Sequence, residues 1–427
     1  MATRFRRVMF LAAAGPAAVL AQPSYTRDVA PILRAKCAQC HRAGDIAPFP
    51  LTSFEAAFDY KDDVRNAVSE GRMPPWKPVA GYGSFRDSTA LTTEEKTTLL
   101  EWIDAGAPRG DDADLPEVPA ETGEWVLGEP DQVLQMAEPY TAPRGRDMYR
   151  CFVLPAGGDQ DRWVSAVDFL PGDRRSVHHI ILYLDPKGES ERLDARDEGP
   201  GYTCFGGPGT TAGVESLADV TALLSNGISL GGWAPGTRPH HLPDGTAMKL
   251  PRGARIIMQV HYYVRGGAEP DQTRIGIYYA RSRVTRQLLQ VPILPLDRRG
   301  RPSLEIPAGA EKHEVRTEFV VPPPISTTIV TIFPHMHLLG TEIKADIVRL
   351  NGTVEPLIYI DKWDFNWQGA YTYTEPVPLS MLQRVRLSCT YNNSESNPRN
   401  PNNPLKTIRW GEGTEDEMCL VFLGLTF

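Results

Sequence analysis

The sequence predicts a multidomain chain: a small all-α module first, then a longer, mostly β portion. Three observations carry this. Helix-period apolar residues and a helix-capping signature are confined to the stretch from Tyr25 to Gly106. From Val126 on, short runs rich in Val, Ile, Leu and Tyr lie between turn signals, which is how strands read. Pro (38) and Gly (37) are frequent, and the second half has no long Ala/Glu/Lys/Leu-rich run, so strands and turns are favoured over helices.

A chain of 427 residues corresponds to about two to four domains. With 41% hydrophobic and 23% charged residues, it has an ordinary globular composition and can bury real cores. The net charge of −8 argues against nucleic acid as a partner, which would require a basic face.

The basic start Met1-Ala2-Thr3-Arg4-Phe5-Arg6-Arg7 is followed by the Ala-rich apolar run Val8 to Leu20 and by small residues around Ala21. This reads as a secretory signal over 1–21. A membrane anchor is the other reading, but the run is short and contains Gly15-Pro16. The expected mature protein is periplasmic or secreted, has no membrane span after signal cleavage, and can form disulfides.

Tyr25 to Lys36 carries Val29, Ile32 and Leu33 at helical spacing, and Ser53 to Ser69 is a second periodic helix. Thr92 to Glu95 has the capping-box pattern, opening a third helix through Leu99, Leu100, Trp102 and Ile103 that stops at Gly106. Between the first two lies Cys37-Ala38-Gln39-Cys40-His41, a C-x-x-C-H motif. Its thiols attach covalently to haem c, and His41 becomes an axial iron ligand. A zinc half-site would need more Cys or His nearby, yet none occurs before Cys151. A redox C-x-x-C would need a βαβ context that is absent. His41 is the only histidine before His178, and Met73 the only methionine between Met9 and Met136. Met73 is therefore the candidate sixth ligand of an electron-transfer haem; the alternative is a loop methionine beside an open or water-bound iron. The stretch from Tyr25 to Gly110 resembles bacterial cytochrome c domains that end in a Trp-Ile-Asp-Ala-Gly-Ala-Pro-like helix, here Trp102 to Pro108. Pro108 to Glu124 is acidic and proline-rich, and 111–124 is taken as the linker.

The β portion holds the remaining chemistry. Ile325 to Phe333 reads as a strand. If it runs on, His335 and His337 sit at i and i+2 on one face, where two imidazoles can grip one metal ion. Two hydrogen-bonded strand histidines are the other reading. Val177 to Leu184 is strand-like and contains His178-His179. Adjacent strand residues point to opposite faces, so one metal could hold both only if the strand bulges or the rings use different nitrogens. A buried and an exposed histidine would give the same sequence. Ala254 to Tyr263 is another strand, and His261 could supply a third imidazole. Met418 would ordinarily be core, but a thioether beside two histidines suits copper. His240, His241 and His313 match no ligand, and His240-His241 are expected to face solvent. The six cysteines divide into the close pair Cys37 and Cys40 and four distant residues, Cys151, Cys204, Cys389 and Cys419; an even number in an exported chain invites pairing.

Ser176-Val177-His178-His179, Gln259-Val260-His261-Tyr262, His335-Met336-His337-Leu338-Leu339-Gly340 and Asp416-Glu417-Met418-Cys419 occur in this order. Together they resemble the copper type II ascorbate-dependent monooxygenases, the peptidylglycine α-hydroxylating and dopamine β-monooxygenase family, over Met148 to Phe427. The resemblance implies two mostly antiparallel β-sandwich (jelly-roll-like) domains, expected at 125–288 and 289–427, holding two copper ions. It implies His178, His179 and His261 around an electron-transfer copper, and His335, His337 and Met418 around the one that meets O2. It also implies the disulfides Cys151–Cys204 and Cys389–Cys419. The implied activity is hydroxylation of an aliphatic C–H with O2. Electrons would pass from an external donor (a reduced cytochrome, a quinol-linked carrier or an ascorbate-like reductant) through the fused haem to the His178 copper and then the His335 copper. Where the peptide-hydroxylating members carry an arginine, an asparagine and a tyrosine for the substrate, this chain has Phe333, Leu420 and Phe422. That implies a small, non-peptide organic substrate. The alternative is a non-catalytic exported haem/copper electron-transfer or copper-binding protein.

Overall fold

The computed structural model describes residues 22–427 apart from 44, 118–123, 145–146, 205–206, 211–228, 264–268 and 412. The expected signal segment and the middle of the expected linker lie outside these residues.

Tyr25–Val29 forms a π-helical turn, with the Val29 N–H on Ser24 O at 3.2 Å, and continues into the α-helix Ala30–Lys36. The helix expected over Ser53 to Ser69 is two helices, Phe54–Asp59 and Lys61–Ser69, broken at Tyr60 (φ −101°, ψ 15°). At the break the Tyr60 ring stacks on Phe49, with centroids 4.1 Å apart. Such a tertiary contact overrides local periodicity. The third helix, Thr93–Asp104, has both capping-box bonds: Glu95 N–H to Thr92 Oγ1 (3.0 Å) and Thr92 N–H to Glu95 Oε2 (2.7 Å). Its buried stripe of Leu99, Trp102 and Ile103 packs with Tyr25, Val29 and Leu33. Pro108 O accepts from Trp102 Nε1 and from Tyr25 N, each at 2.9 Å. Pro108 therefore packs with the helical module.

The β portion contains one eight-stranded sheet that runs through both halves. Its order is Gln132–Gln135, Arg274–Tyr279, Arg162–Leu170, Thr246–Leu250, Arg286–Ile293, Leu420–Thr426, Ser326–His335, Tyr371–Ser380. The halves join where Arg286 and Gln287 pair in parallel with Thr246 and Ala247; the other pairings in this sheet are antiparallel. The first half packs on a five-stranded sheet ordered Tyr202–Thr203, Asp147–Pro155, Arg255–Tyr263, Val177–Asp185, Ser229–Trp233. The second packs on a four-stranded sheet ordered His313–Val320, Arg384–Tyr391, Gly340–Val348, Val354–Ile360. Each pair of layers encloses its own apolar core, around Val164, Leu182, Met258 and Ile277 in one and Ile332, Ile343, Leu387 and Leu423 in the other. This is sheet-on-sheet packing with alternating inward residues. Cys151 is bonded to Cys204 and Cys389 to Cys419.

The helical module docks on the β portion. Arg86 N–H donates to Thr372 O (2.8 Å) and Thr374 N–H to Ser84 O (2.9 Å), extending the edge of the eight-stranded sheet. Phe85 packs on Tyr371 and Tyr373. Among the described residues no helix is long and apolar enough to cross a membrane.

Candidate metal centres

The first centre lies on two neighbouring strands of the five-stranded sheet. Val177 pairs with Tyr262 and His179 with His261, and the register shifts between Val177 and His179. His178 is therefore the extra residue of a β-bulge, which turns its ring to the side that His179 and His261 share. His178 Nδ1 lies 3.2 Å from His179 Nδ1 and 3.1 Å from His261 Nδ1. The three rings are the metal-competent cluster among the described residues. The bulge brings them together, and all three present the same nitrogen. Tyr149, cross-strand from His261, stacks on it at 4.3 Å and 4°. Burial, then the neighbouring imidazoles, holds His179 well below the usual histidine range. It is neutral, as a ligand must be.

The second centre is at the end of the strand Ser326–His335. The strand stops at His335 and does not run through His337, but the i, i+2 alternation persists. Met336 is fully buried in the core, while His335 Nε2 and His337 Nε2 converge at 3.1 Å. Their tautomers follow from their other nitrogens. Gln368 Nε2 donates to Phe365 O (2.9 Å), which leaves Gln368 Oε1 to accept from His335 Nδ1–H at 2.5 Å. Asp416 O accepts from His337 Nδ1–H at 3.1 Å. Both Nε2 atoms then carry lone pairs, and two lone pairs facing at that distance cannot hydrogen-bond. A cation between them resolves the clash: nitrogens each about 2.0 Å from one ion lie roughly 3.3 Å apart at tetrahedral angles. Burial, then the partner ring, lowers His335 to about 3. Burial lowers His337 to about 4 against the upward pull of Asp416.

Met418 belongs to the segment that leads into the neighbouring strand Leu420–Thr426. Phe333 pairs with Phe422 and His335 with Leu420, and Met418 lies two residues before that strand, its carbonyl accepting from Tyr391 Oη at 2.8 Å. The Cys419 disulfide anchors that strand next door. Glu417, which the sequence reading passed over, is fully buried. Its carboxylate accepts the N–H groups of His337 (2.9 Å), Leu339 (2.6 Å) and Met418 (3.2 Å). Burial pushes Glu417 up to about 8, with these donors pulling it back. An acidic residue directly before the apolar run from Met418 to Phe427 was the signal for it. Gln368 and Phe365 had no comparable signal. They come from a loop, and only the fold brings them to the histidines.

The C-x-x-C-H motif follows the helix Ala30–Lys36. Cys37 and Cys40 carry free thiols. Burial first, then the Cys40 sulfur, pushes Cys37 up to about 12; burial raises Cys40 to about 11. Such thiols are neutral, unlike an activated redox pair. His41 donates Nδ1–H to Phe49 O at 3.0 Å, which leaves Nε2 as the lone-pair nitrogen an axial ligand needs. Met73 lies in the loop after Lys61–Ser69, its N–H on Ala67 O. His240, expected to face solvent, is half-buried and paired with Asp87 of the helical module. His241 is exposed, with Nδ1 3.1 Å from Ser165 Oγ. His313 is half-buried and begins its strand.

Residues 306–425 match the family model for the copper type II ascorbate-dependent monooxygenase C-terminal domain. The match includes His335, His337 and Met418. Dopamine beta-hydroxylase of Canis lupus familiaris is 24% identical over 268 residues, covering 58% of this chain and 40% of that protein. The chain thus spans less than half the length of that relative. Both matches support the copper type II ascorbate-dependent monooxygenase family. Among solved structures, the major capsid protein P2 of bacteriophage PM2 aligns at TM-score 0.24 with 12% identity, over 69% of this chain and 96% of that one. A structure of infectious bursal disease virus Gx strain aligns at 0.19 with 9% identity, over 73% and 75%. Likenesses this weak carry no argument.

Proposed function

We propose that the protein is an exported copper-dependent monooxygenase that hydroxylates an aliphatic C–H of a small, non-peptide substrate. His178, His179 and His261 hold one copper, His335, His337 and Met418 the second, and Cys37, Cys40, His41 and Met73 a covalent haem c. The observation that carries the reading is the pair of facing Nε2 lone pairs of His335 and His337. When bound, the two coppers and the haem supply electron transfer and O2 activation. One oxygen atom enters the C–H bond and the other leaves as water; a reduced cytochrome, quinol-linked carrier or ascorbate-like donor gives two electrons, and solvent two protons.

The chain's own residues prepare the site. Gln368 and Asp416 fix the tautomers, Glu417 holds the His337 backbone, and Phe333 and Phe422 line the approach with stacked rings 6.1 Å apart. Contacts between the C-x-x-C-H segment and the β portion support a part for the haem module. Gln39 Nε2 meets Gly236 O at 3.4 Å and Gln39 Oε1 meets Arg238 Nε at 3.0 Å. Cys40 and Gln368 line one cavity of about 100 Å³. The signal over 1–21 and the two disulfides support export.

The test is metal content, haem absorbance and O2 uptake on purified full-length protein. One haem, two coppers and O2 uptake coupled to a hydroxylated product are expected. Uptake that never couples to product makes the protein a haem and copper electron carrier instead. A Cys37→Ser/Cys40→Ser variant that hydroxylates as fast with a reduced cytochrome as donor removes the haem from the electron path.

A further inference from the structure

We propose that an apolar chamber beside the two metal centres binds a neutral, alkylbenzene-sized molecule, and that this is the substrate class; the inference rests on the copper reading for its chemistry but not for its binding. A cavity of about 220 Å³ lies where the eight-stranded sheet meets the outer strands of the five-stranded one. Leu230, Trp233, Met248, Val330, Phe333 and Phe422 form its walls. A dry apolar cavity of about 150 Å³ already holds benzene, so this one takes a benzene ring with a short alkyl chain.

The chamber touches the first centre and adjoins the second through Phe333 and Gln368. His179 lies on one wall. On the other, Phe333 has its ring 6.1 Å from that of His335, and Gln368 lines the space while accepting a hydrogen bond from His335 Nδ1–H.

Charge decides the class. The cationic groups that line the chamber, Arg86 and Arg238, are exposed and so sit on its solvent side. Arg238 is also bonded to Gln39, and His240 is paired with Asp87. Ser165 Oγ is engaged by Tyr278 O and His241. Among the described residues, nothing at Trp233, Phe333 and Phe422 offers a counter-ion. A carboxylate or ammonium placed there would be desolvated without a partner, which is strongly unfavourable.

The probe is ethylbenzene, with 4-ethylbenzoate and phenethylammonium as charged molecules of similar shape. Each is titrated into full-length protein, copper-free and copper-loaded, and followed by calorimetry and tryptophan fluorescence. Saturable one-to-one binding of ethylbenzene is expected in both forms, at least tenfold tighter than either ion. Val330→Phe, which fills the chamber, weakens it at least tenfold. If that variant does not fold, the labelled methyl of Met248 decides in the unsubstituted protein. Its resonance shifts with ethylbenzene while that of Met136, in the adjoining core, does not. Equal or tighter binding of either ion, binding indifferent to a folded Val330→Phe, or an unmoved Met248 methyl overturns the proposal. Tight, chamber-dependent binding without product from the copper-loaded protein leaves the chamber standing and overturns the monooxygenase reading.

Discussion

Phe365 stacks on His178 with ring centroids 5.9 Å apart and planes 22° from parallel. The same ring meets His261 at 6.3 Å and presents its face or edge to His337 at 6.0 Å and 87°. One buried aromatic side chain, from the second β unit, thus lies against both histidine clusters. Phe365→Ala is expected to cost about 3–5 kcal/mol of stability and to lower the coupling of O2 uptake to product. Phe365→Leu should recover much of the stability but not the coupling. Denaturant unfolding and the ratio of product to O2 consumed separate the two effects.

Gln368 holds the His335 proton on Nδ1. Gln368→Ala should weaken copper at the His335 centre by about 10–100-fold, the usual effect of losing a ligand's hydrogen-bond partner. The three-histidine centre should keep its affinity. A copper titration of the variant then shows one tight and one weak site, where two tight sites would contradict the role.

Glu417 receives three backbone N–H groups with no access to water. Above about pH 8, where Glu417 is ionised, Glu417→Gln turns one acceptor into a donor against those groups, at about 1–3 kcal/mol for each buried polar group left unmatched. The expected result is a lower unfolding midpoint together with weaker copper binding at His337, whose backbone moves.

The Cys389–Cys419 bond closes a separation of 30 residues. Chain entropy makes such a bond worth about 3–4 kcal/mol. Cys389→Ser should lose that stability and also loosen Met418, next to Cys419. A change confined to stability, with copper content and activity intact, would show that the bond does not position the ligand.

Stripping copper with a chelator should lower the unfolding temperature while leaving the haem spectrum of the intact protein in place. A ligand held at a hundred times its dissociation constant stabilises by about 2.7 kcal/mol. Met73→Leu should do the reverse, moving the haem from a low-spin to a high-spin spectrum without altering copper content.

The amino-acid sequence by itself named the candidate donors and much of their local geometry. The 3.6- and 2-residue periods, the Thr92–Glu95 capping box, the C-x-x-C-H motif and the alternation of His335 and His337 are all written in neighbouring residues, and the structure keeps them. The break at Tyr60 was not legible, because a ring stack with Phe49 outweighs helical periodicity there. Nor was the choice between a bulge at His178 and a change of nitrogen, since only pairing with the strand of His261 sets the register. The sheet shared by both halves, the tautomers set by Gln368 and Asp416, the Phe365 contact and the apolar chamber were likewise decided by the tertiary structure. Each depends on groups far apart in the chain meeting within a few ångströms. Local sequence encodes which atoms a segment offers, while packing decides which of them meet.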